Sequence, residues 1–285
     1  MTIIVLGGTG FLGQSLIKKL NEKHLSYKLL IHKKEINDNH SFYGDITNTN
    51  FLENYISDGD MIVNLVGQEN EYMFKQNIIG SYNLLNSAIK KKNIKIIFAS
   101  SLLVYGESTK QLSDEMDLPK PVSNYGVVKL LSENLYNIYS KSFGLDVTIL
   151  RFSNIYGPKS KSGIIVKCIQ SIEQQDPISI YENGDQVRDF LHVDDASEAI
   201  LSVLTSSYQS GFKIFNISSG IGIKINKIID LIEKYTAQII PKKFSNKIPN
   251  IKYIVGDNTK ASKFLNFSTT VDLPDGIKDI IDKSS

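Results

Sequence analysis

Short apolar runs alternate with amphipathic segments along the first 150 residues of the chain. The apolar runs, four to six residues long, predict strands at 2–6, 27–31, 61–66, 95–100 and 147–152. Apolar positions that recur every three to four residues predict helices between them, at 11–22, 48–57, 72–91 and 123–142. Strands that alternate with helices in this way indicate an α/β protein with a doubly wound parallel sheet.

The pattern becomes less regular after Gly157 and Pro158. We expect helices at 163–174 and 194–204 and a further strand of the main sheet at 214–217. Residues 224–283 predict two or three helices, with short strands around Tyr253. Because no repeat or Pro- and Ser-rich linker is present, we expect the second half to be built as excursions from the sheet rather than as a separate unit.

A glycine-rich segment joins the first predicted strand to the first predicted helix. Gly7, Gly10 and Gly13 are spaced three apart, and the helix starts at Phe11 and Leu12. Glycine permits a tight turn and a close backbone approach, and the free N–H groups of the new helix attract an anion. The segment therefore predicts a phosphate-binding loop, with a turn that binds nothing as the alternative.

Tyr125 and Lys129 are the candidate proton-transfer pair. They stand four apart in a predicted helix, so both side chains lie on one helical face. The ordinary pKa of a phenol is about 10, and an ammonium group one turn away favours the phenolate. The pair is suited to acid–base work at neutral pH, although a half-buried tyrosine beside a solvated lysine would give the same spacing.

Several further motifs accompany this pair. In chain order the set is Gly7-x-x-Gly10-x-x-Gly13, Gly44-Asp45-Ile46, Asn77-x-x-Gly80, Ser100-Ser101 before Val104-Tyr105-Gly106, Tyr125-x-x-x-Lys129, Arg151-x-x-Asn154-x-x-Gly157-Pro158 and Arg188 to Asp195. Over nearly the whole chain the set resembles the extended short-chain dehydrogenase/reductases, in particular the NAD-dependent epimerase/dehydratase family of sugar-nucleotide enzymes. The resemblance implies a Rossmann-type sheet in which residues 1–152 and about 189–217 bind a dinucleotide. Residues 153–188 and 218–285 would form a smaller C-terminal substrate-binding domain.

The resemblance also implies the roles of the reacting residues. Ser101 would hydrogen-bond the reacting sugar oxygen, Tyr125 would exchange its proton, and Lys129 would bind the nicotinamide ribose. Ser100 should point elsewhere, because successive side chains of a strand alternate. The implied cofactor-binding residues are Gly7, Gly10, Phe11, Leu12, Gly13, His32, Lys33, Asp45, Ile46, Asn77 and Lys129.

Two of these cofactor residues have structural alternatives. Asp45 would accept a hydrogen bond from the adenine amino group, or would cap the helix predicted at 48–57. Asn77 would line the back of the cofactor pocket, or would only satisfy buried hydrogen bonds.

For the second ligand, the resemblance places Asn154 and Arg188 against the diphosphate of a nucleotide sugar. The planar guanidinium fork of arginine suits a phosphate, but Asp189 could instead hold Arg188 in an ion pair. His192 lies in an apolar run, so we interpret it as a core histidine.

Leu102 and Leu103 disfavour two reactions that occur in this family, dehydration and decarboxylation. Dehydratases of the family have an acid pair after the serine, and decarboxylases keep a glutamate there, whereas leucine transfers no proton. Reductase-epimerases use an added Cys and His, but Cys168 lies far from the Ser101 segment in sequence. Hydride chemistry at C4 of an NDP-hexose remains, as a 4-epimerase or, alternatively, as an NADPH-dependent 4-ketoreductase of a 4-keto-deoxysugar.

The cofactor, NAD or NADP, stays open. NAD users of the family usually end the second strand with an acid, whereas this chain has Ile31-His32-Lys33-Lys34 and no acid before Glu35. The missing carboxylate and the nearby cations permit a 2′-phosphate. A non-catalytic dinucleotide-binding relative is disfavoured by the presence of both Tyr125 and Lys129, and a non-sugar substrate by Arg188 and Asn154.

Composition limits the partners. The formal charge of the 285 residues is +2, and the 32 basic residues are spread along the chain, so we expect no nucleic-acid partner. The single cysteine excludes an internal disulfide and suits a reducing compartment. The four histidines and this cysteine show no metal-ligand spacing.

No apolar run approaches the ~20 residues that span a bilayer, and the chain starts with a strand rather than a leader. We therefore expect a cytoplasmic enzyme without a membrane partner. The resemblance further implies a homodimer that pairs through the helices at 72–91 and 123–142. The apolar positions on the second of these would serve the interface or the core, namely Leu130, Leu131, Leu135 and Ile138.

Overall fold

The structure, a computed structural model, describes residues 2–31, 40–67, 72–206, 210–245 and 250–284. Within these ranges a seven-stranded sheet forms the centre of the protein. Its strands, in order across the sheet, are β3 (Ser41–Tyr43), β2 (Tyr27–Ile31), β1 (Ile3–Leu6), β4 (Met61–Asn64), β5 (Lys95–Ser101), β6 (Asp146–Phe152) and β10 (Phe212–Ile217). All neighbours pair in parallel, which confirms the predicted Rossmann-type sheet. The strand order reverses between β1 and β4, where such sheets bind ligands.

Strand β1 shows why the apolar runs form the centre of this sheet. Ile3 and Val5 pack into a cluster with Leu16 on one face, and Ile4 packs into a second cluster with Leu84 on the other. A strand covered on both faces has to be apolar throughout, so its run in the sequence is continuous rather than alternating.

Helices cover both faces of the sheet. They are α1 (Phe11–Glu22), α2 (Thr49–Tyr55), α3 (Gly80–Ala88), α4 (Asn124–Phe143), α5 (Ile164–Gln174), α6 (Val193–Thr205), α7 (Ile225–Thr236), α8 (Thr259–Leu265) and α9 (Leu273–Ser284). The single helix expected at 72–91 is instead a π-helical turn, Lys75–Ile79, followed by the shorter α3. Every helix in the described part of the chain is too short or too polar to cross a bilayer.

A second sheet lies beyond the central one, and the sequence pattern did not predict it. Strand β9 (Val187–His192) is its hub and pairs with β7 (Asn154–Tyr156), β11 (Gly222–Lys224) and β13 (Tyr253–Ile254). Strand β8 (Ile178–Tyr181) pairs separately with β12 (Lys242–Ser245). A third apolar cluster, with Cys168, Ile228 and Ile277, joins α5, α7 and α9. Strands of two to six residues leave little periodicity to detect.

Candidate active site

The glycine loop wraps tightly around the end of β1. The N–H of Gly10 donates to the carbonyl oxygen of Gly7 at 3.0 Å, and any side chain at Gly13 would overlap that same oxygen. Gly7 has a φ of +82° and lies against the backbone of Leu65, just after β4. The loop thus brings the start of α1, with the half-buried Phe11 and Leu12, to the point where the strand order reverses. Free N–H groups at such a helix start suit a phosphate.

Lys129 is the buried cation of the site. It is 2% exposed, and its Nζ donates to the carbonyl oxygens of Ala99 at 2.8 Å and of Val66 at 3.4 Å. The same Nζ lies 5.6 Å from the ring centroid of Tyr125. The amine therefore connects α4 to the carboxyl ends of β4 and β5. Tyr125 and Lys129 lie close together on one face of α4, as the spacing predicted.

The protonation of Lys129 is tuned by its surroundings. Burial lowers the pKa of this amine to about 7, and the carboxylate of Glu133, one helical turn further, partly opposes that effect. The amine can therefore gain or lose a proton near neutral pH, which an exposed lysine does not do.

Gly67 and Asn77 form the wall beside Lys129. Gly67 has a φ of +148°, and a side chain there would run into Lys129 Nζ and into Asn77 Oδ1. Asn77 Nδ2 donates to the carbonyl oxygen of Met73 at 2.8 Å, but Asn77 Oδ1 is buried without a partner among the described residues. A buried acceptor without a donor is unfavourable, so this oxygen is a candidate to accept a hydrogen bond from a bound ligand. The sequence analysis did not predict Gly67 as a site residue. Its position just after β4, at the carboxyl edge of the sheet, is the feature that could have indicated it.

Ser101 ends β5 and begins a short 3₁₀ helix over Leu102–Val104. Its Oγ accepts a hydrogen bond from the N–H of Leu103 at 3.2 Å. The first turn of α4 packs directly on this segment, because a side chain at Gly126 would overlap the carbonyl oxygen of Leu103. The structure therefore brings the Ser101 segment against the part of α4 that carries the half-buried Tyr125. Ser100 points to α4 instead, as expected, and donates to Glu133 at 2.5 Å.

The wall next to Ser101 is apolar. Leu102 is buried in a cluster with Ile251 and Ile254, and Leu103 packs against the same cluster. The positions where a dehydratase would need proton donors are thus built into hydrophobic packing.

Asp45 and Ile46, two further cofactor-binding candidates, follow β3 at the edge of the central sheet. Asp45 Oδ1 accepts from the N–H of Thr47 at 2.8 Å, while the cap of α2 is Asn48, whose side chain accepts from the N–H of Phe51 at 3.2 Å. The alternative that Asp45 caps this helix is therefore wrong. Ile46 is buried, and Gly80 lets the start of α3 approach it closely. His32 and Lys33 lie outside the described residues.

Asn154 and Arg188 lie on neighbouring strands of the second sheet. Asn154 is exposed, and its Nδ2 donates to the carbonyl oxygen of Asp189 at 2.8 Å. Arg188 is half-buried, and its guanidinium donates to the carbonyl oxygens of Ile251 at 2.6 Å and Val187 at 2.8 Å. Both side chains are thus held by backbone carbonyl oxygens of the second sheet and of the segment at Ile251.

Asp189 and His192 have structural surroundings. The carboxylate of Asp189 accepts from the N–H and the Oγ of Ser219, both at 2.9 Å, and so secures a turn instead of pairing with Arg188. His192 is buried, its Nδ1 accepts from the N–H of Asp194 at 3.3 Å, and burial lowers its pKa. These contacts agree with the interpretation of His192 as a core histidine.

Comparison with known proteins adds to this geometry. The sequence model of the NAD dependent epimerase/dehydratase family matches residues 3–218. The chain is 29% identical over 300 residues to the putative UDP-glucose 4-epimerase of Methanocaldococcus jannaschii, which covers 98% of this chain and 97% of that protein.

Two solved structures have a similar fold. The UDP-glucuronic acid 4-epimerase of Bacillus cereus, in complex with UDP-glucuronic acid and NAD, superposes with a TM-score of 0.87 at 28% identity over 99% of this chain and 98% of that one. The UDP-glucose 4-epimerase of Thermotoga maritima, with UDP-glucose, superposes with a TM-score of 0.88 at 25% identity over 100% and 98% of the two chains.

Proposed function

The chain is an enzyme that belongs to the NAD dependent epimerase/dehydratase family, and on that premise we propose that it is an NAD-dependent 4-epimerase of a UDP-linked hexose. The observation that carries the proposal is the buried Lys129 amine, held beside the Tyr125 ring at the carboxyl ends of β4 and β5. The names of the similar proteins support C4 as the reacting carbon and UDP as the nucleotide.

The pocket residues fit a nicotinamide cofactor. Gly67 leaves room beside Lys129, and the buried, unpaired Asn77 Oδ1 offers an acceptor on the same wall. We propose that Lys129 and Asn77 contact the nicotinamide half, that the loop at Gly7, Gly10 and Gly13 with Phe11 and Leu12 holds the pyrophosphate, and that Asp45 and Ile46 contact the adenine end. Bound NAD would supply reversible hydride transfer at C4, and the similar structures that contain NAD favour it over NADP.

The protein side chains then handle the proton. In this proposal Tyr125 removes the proton from the C4 hydroxyl and later returns it, and Ser101 hydrogen-bonds the same oxygen. A protonated Lys129 stabilises the phenolate by its charge. The apolar wall at Leu102 and Leu103 offers no second acid, which suits a reaction that changes one carbon only.

The second sheet would bind the nucleotide sugar. Asn154 and Arg188 would hold the diphosphate, and Arg188 would direct to it the guanidinium edge that now donates to Ile251. This assignment retains the proposed division, with residues 1–152 and 189–217 for the dinucleotide and residues 153–188 and 218–285 for the substrate.

We also propose that the enzyme is a homodimer through α3 and α4. Large apolar side chains are exposed on these helices, with Tyr82 at 50%, Leu131 at 45% and Ile138 at 57%. Leu130 and Leu135 pack inward against the core. The four apolar positions of α4 are thus divided between the two roles, and the exposed pair forms a surface of the kind that marks a protein–protein interface.

The test is a product assay. Purified protein is incubated with UDP-glucose, UDP-N-acetylglucosamine or UDP-glucuronic acid, and the C4 epimer is measured by proton NMR, while the nucleotide released on denaturation is identified by chromatography. We expect one of these sugars to epimerise without added cofactor and NAD to be released. Released NADP, or NADPH oxidation by a 4-keto sugar without epimerisation, would show the ketoreductase instead.

A further inference from the structure

The helix that carries Tyr125 and Lys129 presents a third polar side chain on the same face. Glu133 follows Lys129 by four residues and is 3% exposed. A carboxylate at this depth is unfavourable unless it is paired and hydrogen-bonded. Its partners therefore indicate what it does.

Glu133 is held from two strands of the central sheet. From β6, Arg151 donates to it through Nε at 3.0 Å and through Nη2 at 2.7 Å. From β5, the Ser100 hydroxyl donates to it at 2.5 Å. One carboxylate thus connects α4 to β5 and β6, and the contact on β5 is the residue immediately before Ser101.

Arg151 extends the connection to the far side of the Ser101 segment. Its guanidinium carbon lies 4.8 Å from the ring centroid of Tyr105, just after the 3₁₀ helix that begins at Ser101. The Tyr105 hydroxyl donates to Asn216 Oδ1 of β10 at 2.8 Å. The segment from Ser100 to Tyr105 is therefore held at both ends by buried groups that meet at the Glu133–Arg151 pair.

A buried ion pair of this kind contributes little stability by itself, because desolvation offsets much of the attraction. Apolar side chains of similar size would serve packing equally well. The pair contacts Ser100, the residue before Ser101, and Glu133 lies one helical turn from Lys129 on α4, which indicates a role in the geometry and charge of the site.

Within the described residues, the charged and titratable groups that face Lys129 and Glu133 are Tyr125 on α4 and Arg151 on β6, while Tyr105, after β5, faces Arg151. Phe98 of β5 lies against the Lys129 amine, and Asn77 of the π-helical turn lies beside the same amine at Gly67. Of these groups, Glu133 acts most strongly on the charge of Lys129, and it favours the protonated amine.

We propose that Glu133, oriented by Arg151 and Ser100, is a positioning residue of the reaction: it fixes Ser101 against α4 and keeps a proton on Lys129. The inference rests on the proposed function, since both residues are assigned there. Glu133 would not touch the substrate. Its loss should therefore change turnover and its pH dependence and leave binding of the nucleotide sugar nearly unchanged.

The test compares Glu133→Gln, which removes the charge at constant size, with Glu133→Asp, which keeps it. For Glu133→Gln we expect kcat to fall by about 10- to 100-fold, as for a displaced reacting group, with KM for the sugar nucleotide within about threefold. The alkaline limb of the kcat profile should move down by about one pH unit, because a nearby opposite charge shifts a pKa by about that amount or more. Glu133→Asp should return the limb toward its original position. Glu198→Gln, which removes the surface pair with Lys19, is the matched control and should change neither.

A second readout does not depend on activity. In the protein without cofactor or substrate, the pH at which stability to urea begins to rise reports the pKa of Lys129. In Glu133→Gln this pH should be lower, by the same amount as the shift of the alkaline limb. Glu133→Gln with Arg151→Met leaves no unpaired charge, so it remains testable if the single variant does not fold, and it should show a shift in the same direction. Coincident pH profiles of wild type and Glu133→Gln in both measurements would overturn the inference. A wild-type protein that turns over no nucleotide sugar would overturn the proposed function instead and leave the urea measurement interpretable.

Discussion

The two ends of the candidate site are built differently. At the reacting end, Lys129, Glu133 and Arg151 are nearly fully buried, and each polar contact is made to another part of the central sheet or its helices. At the proposed diphosphate end, Arg188 is half-buried and donates to backbone carbonyl oxygens that, on this proposal, an incoming phosphate would have to replace. If the proposed assignments hold, the first end is organised before the substrate arrives, and the second must rearrange its contacts to bind it.

This difference separates two kinds of effect. Changes at the buried end should act on kcat, on pH dependence and on stability, because the groups there interact in a medium that screens charge poorly. Changes at the half-exposed end should act on KM and should respond to salt.

The largest expected effect is that of Tyr125→Phe at the buried end. Without the phenolic hydroxyl no proton can be exchanged, so we expect kcat to fall by about 100- to 10,000-fold, with the amount of NAD released on denaturation unchanged. Tyr27→Phe, at the start of β2 and so at the opposite end of the parallel strands from the site, is the control and should keep full activity. Turnover of Tyr125→Phe at the wild-type rate would remove the mechanism.

The next effect is on substrate binding at the other end. Arg188→Met removes a charge-assisted contact, each of which contributes about 1.5–3 kcal/mol, so KM for the nucleotide sugar should rise by about 10- to 100-fold while kcat changes much less. Arg188→Lys keeps the charge without the planar fork, so its KM should lie between those of the wild type and Arg188→Met. If steady-state kinetics show that kcat falls and KM does not rise, Arg188 does not hold the diphosphate.

The sequence predicted the central sheet and the proximity of Tyr125 to Lys129 because both depend on local patterns. Runs such as Ile3–Leu6 are apolar throughout because both faces are covered, and Tyr125 and Lys129 stand one helical turn apart. The glycine loop was likewise predictable, since its three glycines lie within seven residues.

What the sequence did not predict depends on contacts between distant residues. Strand β9 has partners from 154 to 254, and nothing in its own six residues indicates them. The pairing of Glu133 with Arg151 joins α4 to β6, and Gly67 gains its meaning only from the approach of Lys129 and Asn77. At α2, Asp45 and Asn48 are both suitable caps, and only the geometry of the turn shows that Asn48 is the one used.

A third prediction concerns stability and again separates the two ends. The pKa of Lys129 is lowered from 10.5 to about 7 in the folded protein, so the unfolded chain binds more protons between these values and stability rises with pH through this window. Between pH 7 and pH 9 the wild type should therefore gain about 2–3 kcal/mol over Lys129→Met, at about 1.4 kcal/mol for each pH unit.

The measurement is urea unfolding at several pH values. Groups that titrate equally in both proteins, such as Cys168, cancel in the comparison. Lys141→Met, at an exposed position of the same helix, should follow the wild type. A difference between wild type and Lys129→Met that stays constant with pH would mean that Lys129 is not titrating in the folded protein.

The smallest expected effect is that of salt. Raising the ionic strength from about 0.01 M to about 0.5 M shortens the screening length from about 30 Å to a few ångströms. Arg188 is partly open to solvent, so its attraction for a diphosphate should weaken and KM should rise by about two- to fivefold. Lys129, Glu133 and Arg151 are shielded by burial, so kcat and its pH profile should stay unchanged. In Arg188→Met the dependence of KM on salt should shrink, because the screened cation is gone. Steady-state kinetics of the wild type and Arg188→Met at both salt concentrations check this. A kcat that depends on salt while KM stays constant would contradict the assignment of the buried and half-exposed ends.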